Sequence, residues 1–340
     1  MRRAARAAAE SKAGMYLVTG GGGFIGSNIV AALAARGEEV AVCDRFGTES
    51  KWRNLAKHAV AEVIEPEGLH AWLERAPRLK GLVHMGAISA TTETDADLTL
   101  RTNLTLSLAL WEWCASRDVP FVYASSAATY GAGEAGFDDE ATPEALARLR
   151  PLNLYGWSKH LFDRRVVDLV ARGRPRPPQW VGLKFFNVYG PNEYHKGGMI
   201  SVVKRKADEI AAGGPALLFR SGRPDIADGE QKRDFVWVGD CVSVVLWLLD
   251  TPSVSGLYNL GTGRARSYLE LAHAVFAAMR REPEIAFIDM PEALKGQYQY
   301  FTEARMERLR AAGYTEQFTP LEQGVEIYVR RYLSQDDPYA

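Results

Sequence analysis

The chain has few cysteines and no long apolar run. Its three cysteines, Cys43, Cys114 and Cys241, are far apart and form no CxxC pair. This argues against a disulfide framework or a zinc site and fits a reducing compartment. No apolar run approaches the roughly 20 residues that span a bilayer. A formal net charge of −1 provides no general attraction to nucleic acid or to an anionic membrane. We therefore expect a cytoplasmic protein without a metal site and without a nucleic-acid or membrane partner.

The chain is long enough for a large core. Its 340 residues, 47% of them hydrophobic and 24% charged, are ordinary for a soluble globular protein of one large or two modest domains. Residues 1–14 are basic and Ala-rich and precede the first strand-like run. They contain no secretory apolar core, so we expect a disordered extension there.

A glycine-rich turn follows the first β-prone run, with Gly20, Gly23 and Gly26 at intervals of three. Glycine can adopt backbone angles closed to other residues, admit a pyrophosphate close to the main chain, and let a helix pack on a strand. An Ala/Leu-rich helical stretch then begins, and its N-terminus offers free N–H groups to phosphates. Asp44 ends the next apolar run, near the spacing of a ribose-binding carboxylate. These features predict a dinucleotide-binding Rossmann unit.

Apolar runs alternate with helical stretches along the first half of the chain. The strand-like runs are at 16–19, 39–43, 81–85, 119–125 and 180–186. Between the third and fourth, Leu104, Leu108 and Trp111 have the spacing of a buried helix face. This predicts an α/β fold with a doubly wound parallel sheet. We expect a Rossmann domain over 15–190 and a smaller α/β substrate-binding domain over 191–335, with a segment near 235–263 returning to the first domain.

Three residues have the chemistry of a proton-transfer site. Tyr155 and Lys159 are four apart on a predicted helix, so the ammonium can lie near the phenol oxygen. Tyrosine titrates at about pH 10 when unperturbed, and the lysine together with an oxidised nicotinamide should lower that pKa. Ser126 ends a predicted strand, where a parallel sheet places its active site. Its hydroxyl can bond a reacting oxygen, although strand-end serines also cap their own backbone.

With these residues added to the glycine turn, the chain resembles the extended short-chain dehydrogenase/reductase superfamily from Gly14 to about Leu333. Within it, the chain is most similar to the ADP-L-glycero-D-manno-heptose 6-epimerase family. The stretches that carry this likeness are YASSAATYG (123–131), PLNLYGWSK (151–159), FFNVYGP (185–191), HKGGM (195–199), KRDFV (232–236), LGTGRA (260–265) and LRAAGY (309–314).

The resemblance implies an isomerase that oxidises and re-reduces one carbon of a nucleotide sugar. Tyr155 would remove the proton from the C6″ hydroxyl of the heptose while hydride passes to the nicotinamide. The planar ketone would then turn its other face and receive the hydride back. The family places a lysine on the opposite side, and Lys196 matches it. Without the family, Lys196 would be a solvated loop residue.

The resemblance also implies a tightly held NADP, with NAD possible. Positions that match the family's cofactor site, besides the glycine turn, are Phe24, Ile25, Asp44, Arg45, Lys51, Met85, Gly86, Ala87, Ile88, Ser89, Asn103, Lys159, Val188 and Lys196. Asp44 favours a free ribose 2′-hydroxyl, whereas Arg45 and Lys51 favour a 2′-phosphate. A second family lysine aligns with Pro66 and is absent.

The substrate implied is a nucleotide-diphosphate sugar. Family positions match at Asn187, Phe219, Arg233 and Tyr298. A guanidinium fork such as that of Arg233 binds diphosphate oxygens in pairs. The chain departs from the family at Met85, Gly198, Arg205 and Arg220, and its 221–231 loop is longer. Because these departures cluster where the sugar nucleotide should lie, the reaction type is better supported than the exact substrate.

Other interpretations remain open at this point. One is another NAD-dependent nucleotide-sugar epimerase, such as a UDP-hexose 4-epimerase. A 4,6-dehydratase is disfavoured because Ser125-Ser126-Ala127 supplies no acidic pair. A non-catalytic dinucleotide-binding subunit would need the glycine turn but not Ser126, Tyr155 and Lys159 together. The resemblance also suggests a homo-oligomer, as a closed ring and possibly a pentamer.

Overall fold

A computed structural model of the chain describes residues 14–76, 78–292 and 298–340. The extension expected to be disordered lies, apart from Gly14, outside these residues. The strands are β1 (Met15–Thr19), β2 (Val40–Cys43), β3 (Glu62–Ile64), β4 (Leu79–His84), β5 (Phe121–Ser126), β6 (Trp180–Phe185), β7 (Asn187–Tyr189), β8 (Ala216–Phe219), β9 (Lys232–Arg233), β10 (Phe235–Trp237), β11 (Gly256–Leu260), β12 (Arg266–Ser267) and β13 (Ile285–Ile288).

A seven-stranded parallel sheet forms the centre of the molecule, in the order β11-β6-β5-β4-β1-β2-β3. The expected doubly wound parallel sheet is confirmed. Its central strands are apolar and buried almost throughout, as strands covered by helices on both faces must be. The short strand β3 was not predicted, because Ile64 is its one buried residue.

Helices flank the sheet and fill the chain between strands. They are α1 (Phe24–Ala35), α2 (Leu69–Arg75), α3 (Ala96–Leu100), α4 (Leu106–Arg117), α5 (Pro143–Ala147), α6 (Leu154–Ala171), α7 (Val202–Ala211), α8 (Val238–Asp250), α9 (Tyr268–Met279), α10 (Glu307–Ala311) and α11 (Leu321–Tyr328). Shorter 3₁₀ turns cover Ser50–Leu55, Pro66–Gly68, Ala127–Tyr130 and Tyr194–Met199. None of the helices within the described ranges is long and apolar enough to cross a membrane.

A π-helical turn at Arg101–Thr105 joins α3 to α4 and shifts the buried face of that helix. Of the three residues expected on this face, only Trp111 is fully buried, whereas Leu104 and Leu108 are half-buried. The extra residue of a π turn breaks the 3.6-residue period on which the prediction relied. Asn103 takes the buried position instead, and its amide becomes available to the site.

The second half of the chain has a hydrophobic cluster of its own. It includes Ile210, Leu218, Leu271 and Val275, from α7, β8 and α9. In α9, Ser267 and Glu270 form a capping box that fixes the helix start. Strand β11 leaves this half and pairs with β6 in the main sheet. The second half of the chain therefore supplies the outer strand of the main sheet.

Candidate active site

The glycine turn between β1 and α1 forms a cradle that larger residues would fill. Gly20 has a φ of +67°, and a Cβ there would lie 2.5 Å from the backbone nitrogen of Gly86. A Cβ on Gly26 would lie 2.1 Å from the carbonyl oxygen of Gly20. The turn and the loop after β4 can thus approach each other at the N-terminus of α1. A turn of glycines at a helix N-terminus, with its N–H groups exposed, fits the pyrophosphate of a dinucleotide.

Asp44, at the end of β2, lies beside this turn. Its Oδ2 accepts a hydrogen bond of 2.8 Å from the Gly22 N–H, and its Oδ1 accepts one of 2.6 Å from Lys51 Nζ. Arg45 instead forms an exposed ion pair with Glu67. The structure therefore brings Lys51 to Asp44 and turns the guanidinium of Arg45 toward another partner. The carboxylate thus bonds the glycine turn on one side and the Lys51 ammonium on the other.

Asn103 anchors the loop that follows β4. Its Oδ1 accepts from the Ile88 N–H at 2.9 Å, and its Nδ2 donates to the Ile88 oxygen at 2.9 Å and to Ser158 Oγ at 3.0 Å. Asn103 is fully buried, so both ends of its amide are used inside the protein. It holds the 85–89 loop against α6 and acts on that side of the site through this loop.

Ser126 and Tyr155 meet at the carboxyl edge of the sheet, and Lys159 follows Tyr155 on the same helix. Ser126 ends β5, while Tyr155 and Lys159 lie one turn apart at the start of α6, which Asn153 caps. The side chains of Ser126 and Tyr155 are hydrogen-bonded. Ser126 Oγ also accepts a hydrogen bond of 3.1 Å from the Ala128 N–H. The same hydroxyl therefore caps its own backbone and bonds Tyr155. The trio can exchange a proton with a bound alcohol.

Burial dominates the titration of this trio. It raises the pKa of Tyr155, and the hydrogen bond with Ser126 opposes the rise. The expected lowering of this pKa included the charge of an oxidised nicotinamide, so it stays a prediction. Burial also lowers the pKa of Lys159 to about 8, against the attraction of Asp163. Asp163 lies one turn beyond Lys159 on α6.

Asp163 belongs to a buried network that the sequence reasoning missed. Lys184 Nζ donates to Asp163 Oδ2 at 2.7 Å and to Thr129 Oγ1 at 2.8 Å, and Ser125 Oγ donates to the same carboxylate at 2.6 Å. Thr129 Oγ1 in turn donates to the Ser126 carbonyl at 2.8 Å. The network links α6, β5 and β6 and reaches the backbone of Ser126. Its only sequence signal was an acidic residue one turn past Lys159.

Lys196 lies on the 3₁₀ turn at 194–199, against the N-terminus of α1. Its Nζ is 5.2 Å from the centre of the Phe24 ring. Burial lowers its pKa, and the nearby carboxylate of Glu193 opposes that shift. Glu193 is itself fully buried and accepts hydrogen bonds from Ser201 Oγ and Tyr328 OH. The segment that carries Lys196 is thus fastened to α11 and to the start of α7.

Three of the residues expected to bind substrate line one pocket, and Arg233 contacts one of them, Tyr298. Arg233 is 5% exposed, and its guanidinium carbon lies 5.0 Å from the centre of the Tyr298 ring. A cavity of about 150 Å³ between α7, β8 and β13 is lined by Arg205, Phe219 and Tyr298 among others. Arg205 donates to the Gly198 carbonyl at 2.7 Å. The lining of this space is mostly apolar, and Arg205, Lys206 and Glu209 are its charged side chains.

Other predicted positions lie away from that cavity. Arg220 is turned to Asp228 and Asp289 on the surface, at 3.3 and 3.6 Å. Asn187 is exposed on β7, and Val188 beside it is half-buried. Ile25 is half-buried behind Phe24 at the start of α1, and Met85, Gly86, Ala87, Ile88 and Ser89 follow the end of β4. The pocket is built from α7, β8 and β13, whereas the glycine turn, Ser126, Tyr155 and Lys159 belong to elements of the first half of the chain.

Comparisons with known proteins agree with this arrangement. The model of the NAD dependent epimerase/dehydratase family matches residues 16–261. The ADP-L-glycero-D-manno-heptose-6-epimerase of Nitratidesulfovibrio vulgaris (strain DP4) is 50% identical over 332 residues, covering 96% of this chain and 100% of the relative. The crystal structure of the Helicobacter pylori ADP-L-glycero-D-manno-heptose-6-epimerase is 28% identical, with a TM-score of 0.75, covering 95% and 97%. The UDP-glucose 4-epimerase of Thermus thermophilus, solved with NAD, is 29% identical with a TM-score of 0.69, covering 92% and 96%.

Proposed function

The chain belongs to the NAD dependent epimerase/dehydratase family and is an epimerase that uses a nicotinamide cofactor, and we propose that it interconverts the D-glycero and L-glycero forms of ADP-manno-heptose at C6″. The proposal is supported by the hydrogen bond between Ser126 and Tyr155, with Lys159 one turn further along α6, in a chain 50% identical to a named heptose epimerase over the full length of that relative.

The residues of this site would divide the reaction among them. The phenolate of Tyr155 would take the proton of the C6″ hydroxyl in one direction, and the phenol so formed would return a proton in the reverse direction, while Ser126 hydrogen-bonds the same oxygen. Lys159, buried one turn away, places a positive charge near the phenolate. The glycine turn, Asp44 and the loop after β4 would hold the dinucleotide. That cofactor, when bound, supplies reversible hydride acceptance.

Inversion needs proton transfer on both faces of the reacting carbon, and we assign the second face to Lys196. Support comes from its burial, which lowers the pKa of its ammonium and makes it a better proton donor. Its carrier segment is fixed by Glu193, so the amine is positioned by folded elements. The diphosphate of the substrate is assigned to Arg233, which the rings of Tyr298 and Tyr268 hold in place.

The direct test is turnover of chemically defined sugars. We expect the purified enzyme to convert ADP-D-glycero-D-manno-heptose to a mixture of both C6″ epimers, resolved by chromatography or NMR, without added oxidant. UDP-glucose and UDP-galactose, assayed alongside, should not interconvert. Turnover of the UDP-hexoses in place of the heptose would favour the 4-epimerase alternative. Tight dinucleotide binding with no turnover of either sugar would instead identify a non-catalytic binding subunit.

We propose NADP as the preferred cofactor, because Lys51 neutralises Asp44 at the adenosine ribose. Lys51→Ala should leave the carboxylate unopposed and lower the NADP-over-NAD affinity ratio by about tenfold, roughly 1.4 kcal/mol. Arg45→Ala should change the ratio less, because Arg45 is paired with Glu67. Calorimetric titration of both dinucleotides measures this, with Lys80→Ala, whose partner is Glu38, as control. Wild-type protein that binds NAD tenfold more tightly than NADP would contradict the assignment.

We also propose that the chain associates with copies of itself. This proposal rests on the family resemblance and not on any surface described above.

A further inference from the structure

The last four residues of the sequence, 337–340, pack closely against the body of the protein, and we name them the tail segment. Tyr339 is 8% exposed. Its ring meets the Tyr194 ring edge-on, with centroids 5.1 Å apart, and the Arg53 guanidinium carbon lies 5.1 Å from its centre. The backbone is fastened as well, since Lys57 Nζ donates to the Tyr339 carbonyl at 2.7 Å. This is a docked segment with side-chain and backbone contacts.

A chain of hydrogen bonds through Asn192 joins the tail segment to α1 and to the glycine turn. The Ala340 N–H donates to Asn192 Oδ1 at 2.9 Å, and Asn192 Nδ2 donates to Ser27 Oγ at 3.0 Å in the first turn of α1. Asn54 Nδ2 donates to the Asn192 carbonyl at 3.0 Å and to the Gly22 carbonyl at 2.9 Å. Asn192 is fully buried with a φ of +74°, a conformation that its neighbours must hold in place.

The elements joined here border the dinucleotide cleft on two sides. The 3₁₀ turn at Ser50–Leu55 carries Lys51, which bonds Asp44, and it also carries Arg53 and Asn54. The 3₁₀ turn at Tyr194–Met199 carries Lys196, and its Tyr194 hydroxyl donates to the Pro338 carbonyl at 2.7 Å. Lys57, shortly after the first of these turns, also forms an ion pair of 3.1 Å with Asp337 of the tail segment. The tail segment therefore bridges the adenosine side of the cleft to the segment that covers the pyrophosphate turn.

We propose that the tail segment is a positioning element that retains the dinucleotide, with Tyr339 as its anchor. While it is docked, the two 3₁₀ turns are held together over the adenosine and phosphate half of the cleft. Release of the dinucleotide then requires the segment to detach first. An epimerase that returns the hydride to the same carbon gains from such retention, because it uses one cofactor molecule for many turnovers.

The energetics suit a latch of this size. Each contact contributes little free energy alone, but together they keep the tail segment docked in most molecules. If fewer molecules are docked, the apparent affinity for the dinucleotide decreases in proportion. The inference rests on the dinucleotide site alone. It holds for any sugar substrate, and its test needs no sugar.

The test measures the release of NADPH from the loaded protein. NADPH fluorescence is followed after mixing with excess NADP⁺, in the wild type, in Tyr339→Ala and in a chain that ends at Asp336. We expect release about tenfold faster or more in both variants, and more cofactor-free protein after purification. Tyr339→Phe keeps the ring and should release at the wild-type rate. Asp336→Ala, an exposed neighbour outside the segment, is the matched control and should also be unchanged.

Melting temperatures of the cofactor-free proteins separate retention from general stabilisation. Faster release with cofactor-free melting close to that of the wild type supports the proposal. Release at the wild-type rate in the shortened chain overturns it, whether or not the melting temperature falls. Neither NADPH release nor the melting temperature depends on turnover. The role of the tail segment and the assignment of the heptose substrate can therefore fail independently of each other.

Discussion

Replacing Tyr155 by phenylalanine should reduce epimerisation by about 10² to 10⁴, the range for losing one positioned acid or base. The substitution removes only the phenolic oxygen, which bonds Ser126, and keeps the ring in its half-buried position. The fold should therefore be intact, and the measured quantity is kcat at saturating ADP-heptose. Tyr332→Phe removes a phenol from a half-buried position in the C-terminal part of the chain and should retain full activity.

Lys196→Met should give a loss of similar size, for a different reason. Methionine keeps the volume and removes the charge that lies over the Phe24 ring. With keto or aldehyde analogues that report half-reactions, the Tyr155 and Lys196 variants should each fail on one face of the sugar. Lys80→Met, which affects a lysine paired with Glu38, is the control. Epimerisation by Lys196→Met at the wild-type rate would contradict the assignment of Lys196 as the second acid or base.

Breaking the buried pair of Asp163 and Lys184 should have the largest effect on stability. Their side chains are 0% and 1% exposed, so Lys184→Met leaves a buried carboxylate without its cation. Removing one partner of such a pair costs about 3–5 kcal/mol, measurable as a lowered urea midpoint. The exposed pair of Arg36 and Asp250 offers the matched control, and Arg36→Met should cost less than about 1 kcal/mol.

The double variant Asp163→Asn, Lys184→Met tests whether the cost comes from the orphaned charge. It should be less destabilised than the sum of the single variants, because neither charge then remains alone. A Lys184→Met protein within about 1 kcal/mol of the wild type would show that the pair is not the main link between α6 and β6. Additive single-variant costs would show that the two side chains stabilise the fold independently.

The sheet could be read from the sequence where its strands are continuously apolar. Strands β1, β2, β4, β5 and β6 are such runs, and each is found close to its predicted position. The first two residues of β3, Glu62 and Val63, are exposed, so that strand had no comparable signal. Leu104, Leu108 and Trp111 all pack on the core as predicted, but the π turn before α4 leaves the first two only half-buried. Regular periods can be predicted, but a single inserted residue cannot.

The site was predictable where its residues are close in sequence and not where they meet through space. The spacing of Tyr155 and Lys159 already places them on one helix face. The pairing of Asp163 with Lys184 depends on how α6 packs on β6, which no local pattern encodes. Likewise, Arg45 and Lys51 looked equivalent as cations near Asp44. Their different partners follow from the 3₁₀ turn that brings Lys51 back to the end of β2.

The position of β11 in the main sheet has a consequence for synthesis of the chain. Until β11 arrives, β6 is the outer strand, and all six of its residues are buried in the finished protein. Residues 186–255 must leave the ribosome before β11 can pair with it. At about 5–20 residues per second, that edge is unprotected for several seconds. An unpaired apolar edge is a template for association with other chains. The nascent protein is therefore most in need of a chaperone during this interval.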